Sequence, residues 1–243
     1  MFRHGYVCVN RGAGIASPRD LAGKRIGVPL YTMTAAVYIR GVLQEEYGVD
    51  FSNVQWVQGA VNGTGSHGDP QAPPLLKPVD IVRNDDGRSL SDLLDEGAID
   101  AYLGSRLPAS LDRGNVERLF PDFRAVEREY LSRTGIFPIM HLVVIRRDVL
   151  QRHPFVARSL FDAFESARRA AWRRLEDTGT LACMLPWMRQ DVEEMKRLFP
   201  GGDPWVYGVE PNRPALETLL RYLLRQDMIA RPMTVEELFP VPL

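Results

Sequence analysis

One histidine interrupts an apolar segment of the sequence and could transfer a proton there. His141 lies within residues 139–145, a run that is otherwise entirely apolar. Histidine titrates near neutral pH and therefore serves as a general acid or base in many enzymes. It can also be a core residue whose ring nitrogens bond to backbone groups. The residues alone leave both interpretations open.

Hydroxyl side chains cluster where a predicted strand meets a predicted helix. The strand covers residues 24–28, and helical spacing of apolar residues begins near Thr34. Backbone N–H groups at the start of such a helix, together with the side chains of Tyr31, Thr32 and Thr34, could bind a carboxylate. Thr32 or Thr34 could equally be the N-cap of the helix and nothing more.

Arginine binds carboxylates through two parallel hydrogen bonds, which makes two arginines candidates for substrate binding. They are Arg106, in "GSRLPAS", and Arg133, in "SRTG". Tyr102 and Ser105 lie at the end of a predicted strand over residues 98–103. They should therefore be at the same sheet edge as the threonines. Each of the four could instead be structural or a solvated surface group.

The pattern of elements predicts an α/β protein. Strands alternate with helices over roughly the first half of the chain, with Ser89 or Ser91 as an N-cap and Gly48 and Gly97 as helix ends. Residues 139–145 are predicted to form a strand buried on both faces. The last third is predicted to be mostly helical, and residues 60–74, rich in glycine and proline, to be a mobile surface loop. The predicted strands are 6–10, 24–28, 54–59, 79–83 and 98–103, and the later helices are 155–175, 180–198 and 214–226.

Composition excludes several classes of protein. Of the 243 residues, 30 are Lys or Arg and 31 are Asp or Glu, so a net charge of −1 gives no reason to expect a nucleic acid or an anionic membrane as partner. The two cysteines, Cys8 and Cys183, are far apart and indicate neither a disulfide framework nor a zinc site. No apolar run is long enough to span a bilayer, and no signal peptide follows Met1, so we expect a cytoplasmic protein.

Four segments together resemble the proteins called 4,5-dihydroxyphthalate decarboxylases. They are "DLAGKRIGVPLYTMTAAVYIRGVLQEEYGV", "LSDLLDEGAIDAYLGSRLPAS", "VERLFPDFRAVEREYLSRTGIFPIMHLVVIRRDV" and "YGVEPNRPALETLLRYLLRQ". The parts "RTGIFPIMH" and "YGVEPNR" are specific to that group, whereas "DLAGKRIGVP" would suit many solute-binding proteins. The group is in turn similar to the two-lobed substrate-binding proteins of ABC transporters.

The resemblance implies a two-lobed, type 2 periplasmic-binding-protein-like fold with mixed sheets flanked by helices. Residues 1–22 would belong to the first lobe and the first crossover, 23–131 to the second lobe, and 132–243 to the return and the C-terminal helices. Members of the family normally carry a further N-terminal segment, so Met1 is expected to be a truncated start. If a signal peptide was lost with that segment, the protein would be periplasmic instead.

The implied activity is non-oxidative decarboxylation of 4,5-dihydroxyphthalate, or a related hydroxylated aromatic dicarboxylate, to protocatechuate and carbon dioxide. His141 would donate the proton, and the arginines, the threonines and Tyr31 would hold the carboxylates. A divalent metal could assist, although no ligand cluster is evident, and the oligomeric state is open. The alternative is a solute-binding protein that closes on a small aromatic or carboxylate ligand without chemistry. The codons upstream of Met1 would discriminate between the two.

Overall fold

The computed structural model of the chain describes residues 1–66, 74–180 and 182–241. Within these residues the strands are β1 (Val7–Asn10), β2 (Arg25–Val28), β3 (Gln55–Gln58), β4 (Ile81–Arg83), β5 (Ala101–Leu103) and β6 (Val116–Arg118). The helices are α1 (Thr34–Tyr47), α2 (Leu90–Asp95), α3 (Phe123–Thr134), α4 (Arg147–Arg152), α5 (Val156–Glu176), α6 (Met188–Leu198), α7 (Val209–Arg225) and α8 (Val235–Leu238).

The strands form one mixed sheet in the order β4-β3-β2-β5-β1-β6. Within the group β2 to β5, every pair of neighbouring strands is parallel. Strand β1 is antiparallel to both of its neighbours, β5 and β6. Val28 is therefore level with Gln58, and Val7, at the start of β1, is paired with Leu103 at the end of β5. The C-terminal ends of β2–β5 and the residues that precede β1 consequently share one edge, which we call the carboxyl edge.

Alternating side chains place a helix on each face of this sheet. Ala36, Ile39 and Leu43 of α1 pack in one apolar cluster with residues from β1, β2, β3 and β5. On the other face, α2 packs against Cys8 and Tyr102. Since successive strand residues point to opposite faces, a strand buried on both sides requires apolar residues at every position, as β1 shows with Val7, Cys8 and Val9.

Local signals predicted the first βα unit well. Helix α1 ends at Gly48, which adopts φ 66°, the left-handed conformation that glycine tolerates best. The beginning of the helix differs from the prediction. Met33 is the N-cap and Thr34 is the first helical residue, so neither Thr32 nor Thr34 caps α1. Their hydroxyl groups are thus not engaged in capping.

Helix α2 confirms the other predicted cap. The Ser89 hydroxyl accepts a hydrogen bond from the Asp92 N–H, and the Asp92 carboxylate in turn accepts one from the Ser89 N–H at 3.0 Å. This reciprocal pair satisfies two N–H groups that a helix start otherwise leaves open. Of the two serines proposed from the sequence, Ser89 is therefore the cap, while Ser91 hydrogen-bonds Ser110.

The chain divides into two compact units. The first contains Met1–Glu129 and Thr218–Pro232, and therefore the whole sheet with α1 and α2. The second contains Tyr130–Glu217 and Met233–Leu243 and is helical. Residues 1–22, which the sequence assigned to the first lobe, contribute β1 to the same sheet as β2–β6. The predicted lobe boundaries themselves stay a prediction.

The second unit is held by aromatic and ionic contacts. Phe137 packs edge-on against both Phe199 and Trp205, with ring centroids 5.2 Å apart in each case. Arg168 on α5 pairs with Glu165 one turn earlier and with Asp203 after α6. The guanidinium of Arg168 lowers the pKa of the Glu165 carboxyl to about 2. Helix α5 matches its predicted range closely, whereas α6 begins at Met188 instead of near residue 180.

The predicted strand at residues 139–145 is wrong. The structure has no regular secondary structure there, and residues 141–144 are exposed, with Val144 87% accessible. A strand buried on both faces requires neighbouring strands that satisfy its backbone N–H and C=O groups. Among the described residues, no strand pairs with this segment. The predicted mobile loop at 60–74 falls partly outside the described residues, which omit 67–73.

Gly41 is expected to tolerate no side chain. It lies on α1 against the fully buried ring of Tyr222, and a Cβ atom at this position would be 2.2 Å from that ring. Overpacking of this kind costs about 1–3 kcal/mol, which outweighs the gain of at most about 1 kcal/mol from the helix propensity of alanine. We expect Gly41→Ala to lower the free energy of unfolding in urea titrations.

Gly63 provides the matched control for this substitution, since among the described residues no atom beyond its chain neighbours lies within 4 Å of a Cβ built there. Gly63→Ala should leave the unfolding midpoint nearly unchanged. A second variant, Gly41→Ala combined with Tyr222→Leu, should recover part of the loss because the smaller side chain can move aside. Equal stability of Gly41→Ala and the wild type would show that the packing between α1 and Tyr222 is looser than described.

Candidate active site

The turn after β2 forms the first part of the carboxyl edge. Tyr31 follows the strand and is held there because its backbone N–H donates a hydrogen bond of 2.9 Å to the side-chain oxygen of Gln58, the last residue of β3. The Tyr31 ring is buried and packs edge-on against Trp56 at 5.2 Å. Tyr31 therefore lies at the predicted edge, but its ring packs into the core.

Thr32 and Thr34 lie at the same turn and are half-buried. Helix α1 starts at Thr34, and its first backbone hydrogen bond runs from the Val37 N–H to the Met33 carbonyl, at 3.0 Å. The N–H groups of the first turn are free of such intrahelical bonds, as at every helix start. In the described part of the chain, no hydrogen bond engages the Thr32 or Thr34 hydroxyl. The arrangement suits an anion such as a carboxylate.

The end of β5 forms the adjoining part of the edge. Tyr102 is fully buried, and its hydroxyl donates a 2.8 Å hydrogen bond to the Arg106 carbonyl. Burial also raises the pKa of this hydroxyl, so it stays protonated. Tyr102 thus shapes the loop after β5. Ser105 is half-buried and the Arg106 side chain is exposed, so these two residues are the accessible candidates here.

The structure brings these two groups of predicted residues together. Strands β2 and β5 are neighbours in the sheet, with Gly27 paired to Tyr102. Beyond the strands, a Cβ atom at Gly104 would lie 3.1 Å from the Pro29 ring, which shows how closely the two turns approach. The predicted residues that meet at this edge are Tyr31, Thr32, Thr34, Tyr102, Ser105 and Arg106.

Arg133 and His141 belong to the second unit. Arg133 is on the last turn of α3 and is exposed. His141 is exposed in the irregular segment between α3 and α4, and it is therefore not the core histidine that the sequence left as an alternative. In the described residues no hydrogen bond to its ring is seen. The ring is thus available for proton transfer.

Two arginines of the first unit that sequence analysis did not single out carry buried charge. Arg3 lies before β1 and is 9% exposed, and Arg40, on α1, is 1% exposed. The Arg40 guanidinium stacks 3.8 Å above the Tyr31 ring, and its Nε donates to Gln226 at 2.9 Å. Both of its Nη groups are buried and make no hydrogen bond to any described residue, and burial lowers the pKa of Arg40 to about 10. Neither position shows a sequence signal beyond the arginine itself.

Other reactive groups are excluded by their surroundings. Burial raises the pKa of the Cys8 thiol to about 12, so Cys8 is not a thiolate nucleophile at neutral pH. Within residues 1–66, 74–180 and 182–241, no cluster of three or more His, Cys, Asp or Glu side chains is arranged to hold a metal ion. In the same residues, no helix is both long and apolar enough to cross a membrane.

Comparison with known proteins identifies the family. The 4,5-dihydroxyphthalate decarboxylase of Comamonas testosteroni is 37% identical over 240 residues, which cover 98% of this chain and 72% of that protein. The chain belongs to the 4,5-dihydroxyphthalate decarboxylase family. A second member, from Pseudomonas putida, is 37% identical over 116 residues, or 47% of this chain and 44% of that protein.

A family model supports the fold of this decarboxylase family member. The model described as "NMT1/THI5 like" matches residues 4–66, which run from the turn before β1 to the segment after β3. Together with the mixed sheet flanked by helices, this match confirms the predicted type 2 periplasmic-binding-protein-like class. The matched residues include the turn at which Tyr31, Thr32 and Thr34 lie. The roles of the individual site residues stay predictions.

Proposed function

We propose that this protein decarboxylates 4,5-dihydroxyphthalate to protocatechuate and carbon dioxide. The observation that carries the proposal is the 37% identity to the Comamonas testosteroni decarboxylase across 98% of the chain. Identity at this level over nearly the whole chain supports the same fold and the same reaction. The substrate is a small aromatic dicarboxylate, and the carboxyl edge offers the donors that such an anion requires. A cytoplasmic location stays a prediction.

The reaction needs a proton donor and a means of holding the ring. One phenolic hydroxyl lies para to each carboxyl-bearing carbon and can donate electron density to that carbon. A proton is added there, and the carbon–carboxylate bond then breaks. Its electron pair restores the aromatic ring while neutral carbon dioxide leaves. The net change is the uptake of one proton and the release of one carbon dioxide, with no oxidation or reduction.

His141 is the proposed proton donor. An imidazolium near neutral pH can give its proton to the ring carbon and regain one from solvent. The exposed His141 ring, free of hydrogen bonds in the described residues, supports this role. Arg106 and Arg133 are proposed to bind carboxylate through their guanidinium groups, and Thr32 and Thr34 through hydroxyl and backbone donors.

A combined turnover and binding experiment tests the proposal. Purified protein is incubated with 4,5-dihydroxyphthalate, and protocatechuate and carbon dioxide are measured over time. In parallel, the midpoint of thermal unfolding is measured with and without the compound. We expect catalytic release of both products in equal amounts. Stabilisation without any product would instead identify a solute-binding protein of the kind that shares this fold.

A further inference from the structure

Arg3 lies at the carboxyl edge, beside the end of β5. Its carbonyl accepts a 3.0 Å hydrogen bond from Tyr6, which closes the short 3₁₀ turn His4–Tyr6 just before β1. Val7 is paired with Leu103 at the end of β5, and Arg3 and Tyr102 act on each other electrostatically, which places Arg3 near the end of that strand. Arg3 is therefore on the same edge as Tyr102, Ser105 and Arg106, although 100 residues separate them in sequence.

The Arg3 guanidinium is buried on one side and accessible on the other. The Arg3 Cζ lies 5.1 Å from the centroid of the Tyr6 ring, and the Nε is fully buried with no hydrogen bond to the residues that the structure describes. In the described residues the two Nη groups make no hydrogen bond, and they are not among the buried unpaired atoms, so each of them has some accessible surface. In the described residues, no carboxylate lies within 4.0 Å of this guanidinium.

An arginine in these surroundings favours an anion as its ligand. Removing a guanidinium from water is costly unless a carboxylate or another acceptor compensates for the lost hydration. Glu127 is an acidic group with an electrostatic effect on Arg3, and its carboxylate accepts a hydrogen bond from the Gly5 N–H at 3.3 Å, but in the described residues it forms no ion pair with Arg3. The Arg3 guanidinium therefore has two partly accessible Nη donors and no carboxylate partner among the described residues.

We propose that Arg3 binds the carboxylate of the substrate that remains on the ring. This inference rests on the proposed decarboxylase function and adds a residue to its site. The carboxylate that leaves becomes neutral carbon dioxide, so a strong ion pair with it would stabilise the bound substrate more than the transition state. The retained carboxylate keeps its charge throughout, and an arginine can hold it at every step.

This assignment also gives Arg3 a part in selecting the reacting group. The two carboxylates of 4,5-dihydroxyphthalate are equivalent by symmetry until the molecule is bound. When a bidentate pair with Arg3 fixes one of them, the other is directed away from the guanidinium and is the one that can be lost. Arg3 is thus a binding and orienting residue and donates no proton to the ring.

Two ligands that differ only in the retained carboxylate test the proposal. Protocatechuate contains that group, whereas catechol lacks it. For the full chain and for Arg3→Gln, we would measure binding of both ligands by calorimetry and turnover of 4,5-dihydroxyphthalate. We expect Arg3→Gln to weaken protocatechuate binding about 10- to 100-fold, as the loss of a charge-assisted bidentate pair implies, and to leave catechol binding unchanged.

Arg3→Lys and Arg11→Gln complete the experiment. Lysine keeps the charge but not the planar fork, so Arg3→Lys should bind protocatechuate with intermediate affinity and remains informative if Arg3→Gln does not fold. Arg11 is more than half exposed and pairs with Glu117, so Arg11→Gln should leave both affinities unchanged.

Each outcome distinguishes this inference from the proposed function. Equal weakening of catechol and protocatechuate would mean that Arg3 only supports the fold, which overturns the inference. The inference is also overturned if the wild type binds neither ligand, or if the Arg3 variants bind protocatechuate as the wild type does. If the wild type binds protocatechuate through Arg3 but releases no carbon dioxide from the dicarboxylate, the proposed function fails while the carboxylate site stands.

Discussion

Replacing His141 with asparagine is expected to slow decarboxylation by about 100-fold or more, because general acid catalysis by a positioned side chain contributes about 10²–10⁴-fold. Asparagine is close to histidine in size and polarity, but it cannot deliver a proton at neutral pH. His141 is exposed in an irregular segment, so the substitution should not destabilise the fold. We expect kcat to fall while the affinity for protocatechuate stays within a few-fold of the wild type.

His153 offers a matched control for His141→Asn. It is also exposed and also lies outside regular structure, at the end of α4, with its ring 6.0 Å from the Phe155 ring. His153→Asn should retain the turnover number of the wild type. Wild-type turnover by His141→Asn would remove this histidine from the mechanism, and a loss of both binding and turnover would assign it to substrate binding instead.

The free energy of unfolding is expected to fall by about 2 kcal/mol between pH 7.5 and pH 5 because of His4. Its side chain is 4% exposed and lies edge-on against the rings of Tyr47 and Phe120. Burial lowers the pKa of His4 from 6.5 to about 4, against a smaller opposing effect of the Glu129 carboxylate. Between these two pKa values, the unfolded chain binds a proton that the folded chain does not.

The direction of this effect follows from proton linkage. The contribution of His4 to the free energy of unfolding is fully present above pH 6.5, decreases as the pH falls from 6.5 to about 4, and does not change further below about pH 4. Glu127, whose carboxylate lies 3.9 Å from the His4 ring, has a pKa that burial raises. A raised carboxyl pKa lowers stability as the pH increases, so Glu127 acts in the opposite direction and cannot cause the loss in acid.

Urea titrations at several pH values measure this dependence. His4→Phe retains a ring between Tyr47 and Phe120 but cannot bind a proton, so its loss of stability between pH 7.5 and pH 5 should be smaller than that of the wild type by about 2 kcal/mol. Glu127→Gln, in contrast, should retain the wild-type loss or increase it. A His4→Phe variant with the full pH dependence of the wild type would show that other groups are responsible.

Local patterns in the sequence predicted much of the first unit. The segment from β2 to the end of α1 combines an apolar run, helical spacing and a glycine that ends the helix, and all three are short-range signals. They located the turn with Tyr31, Thr32 and Thr34. The spacing could not show that Met33 caps α1, because either threonine satisfied the same local preference.

Features that depend on distant parts of the chain were not predictable. Residues 139–145 have the composition of a buried strand, but a strand forms only where another strand supplies hydrogen-bond partners. The burial of Arg3 and His4 is equally non-local. A Cβ atom at Gly5 would lie 2.8 Å from the Phe123 ring, so the chain before β1 packs against a helix more than 100 residues later. The residues near the start of the sequence carry no local pattern that predicts this burial.

Proton NMR of 4,5-dihydroxyphthalate with the protein in D₂O is the most direct test of the central claim. The experiment follows the loss of the substrate signal and shows where solvent deuterium enters the product. The expected result is catalytic conversion to protocatechuate with one deuterium at the ring carbon that lost its carboxylate, together with one equivalent of carbon dioxide. An unchanged substrate spectrum with active, folded protein that binds the compound would contradict the account and identify a binding protein.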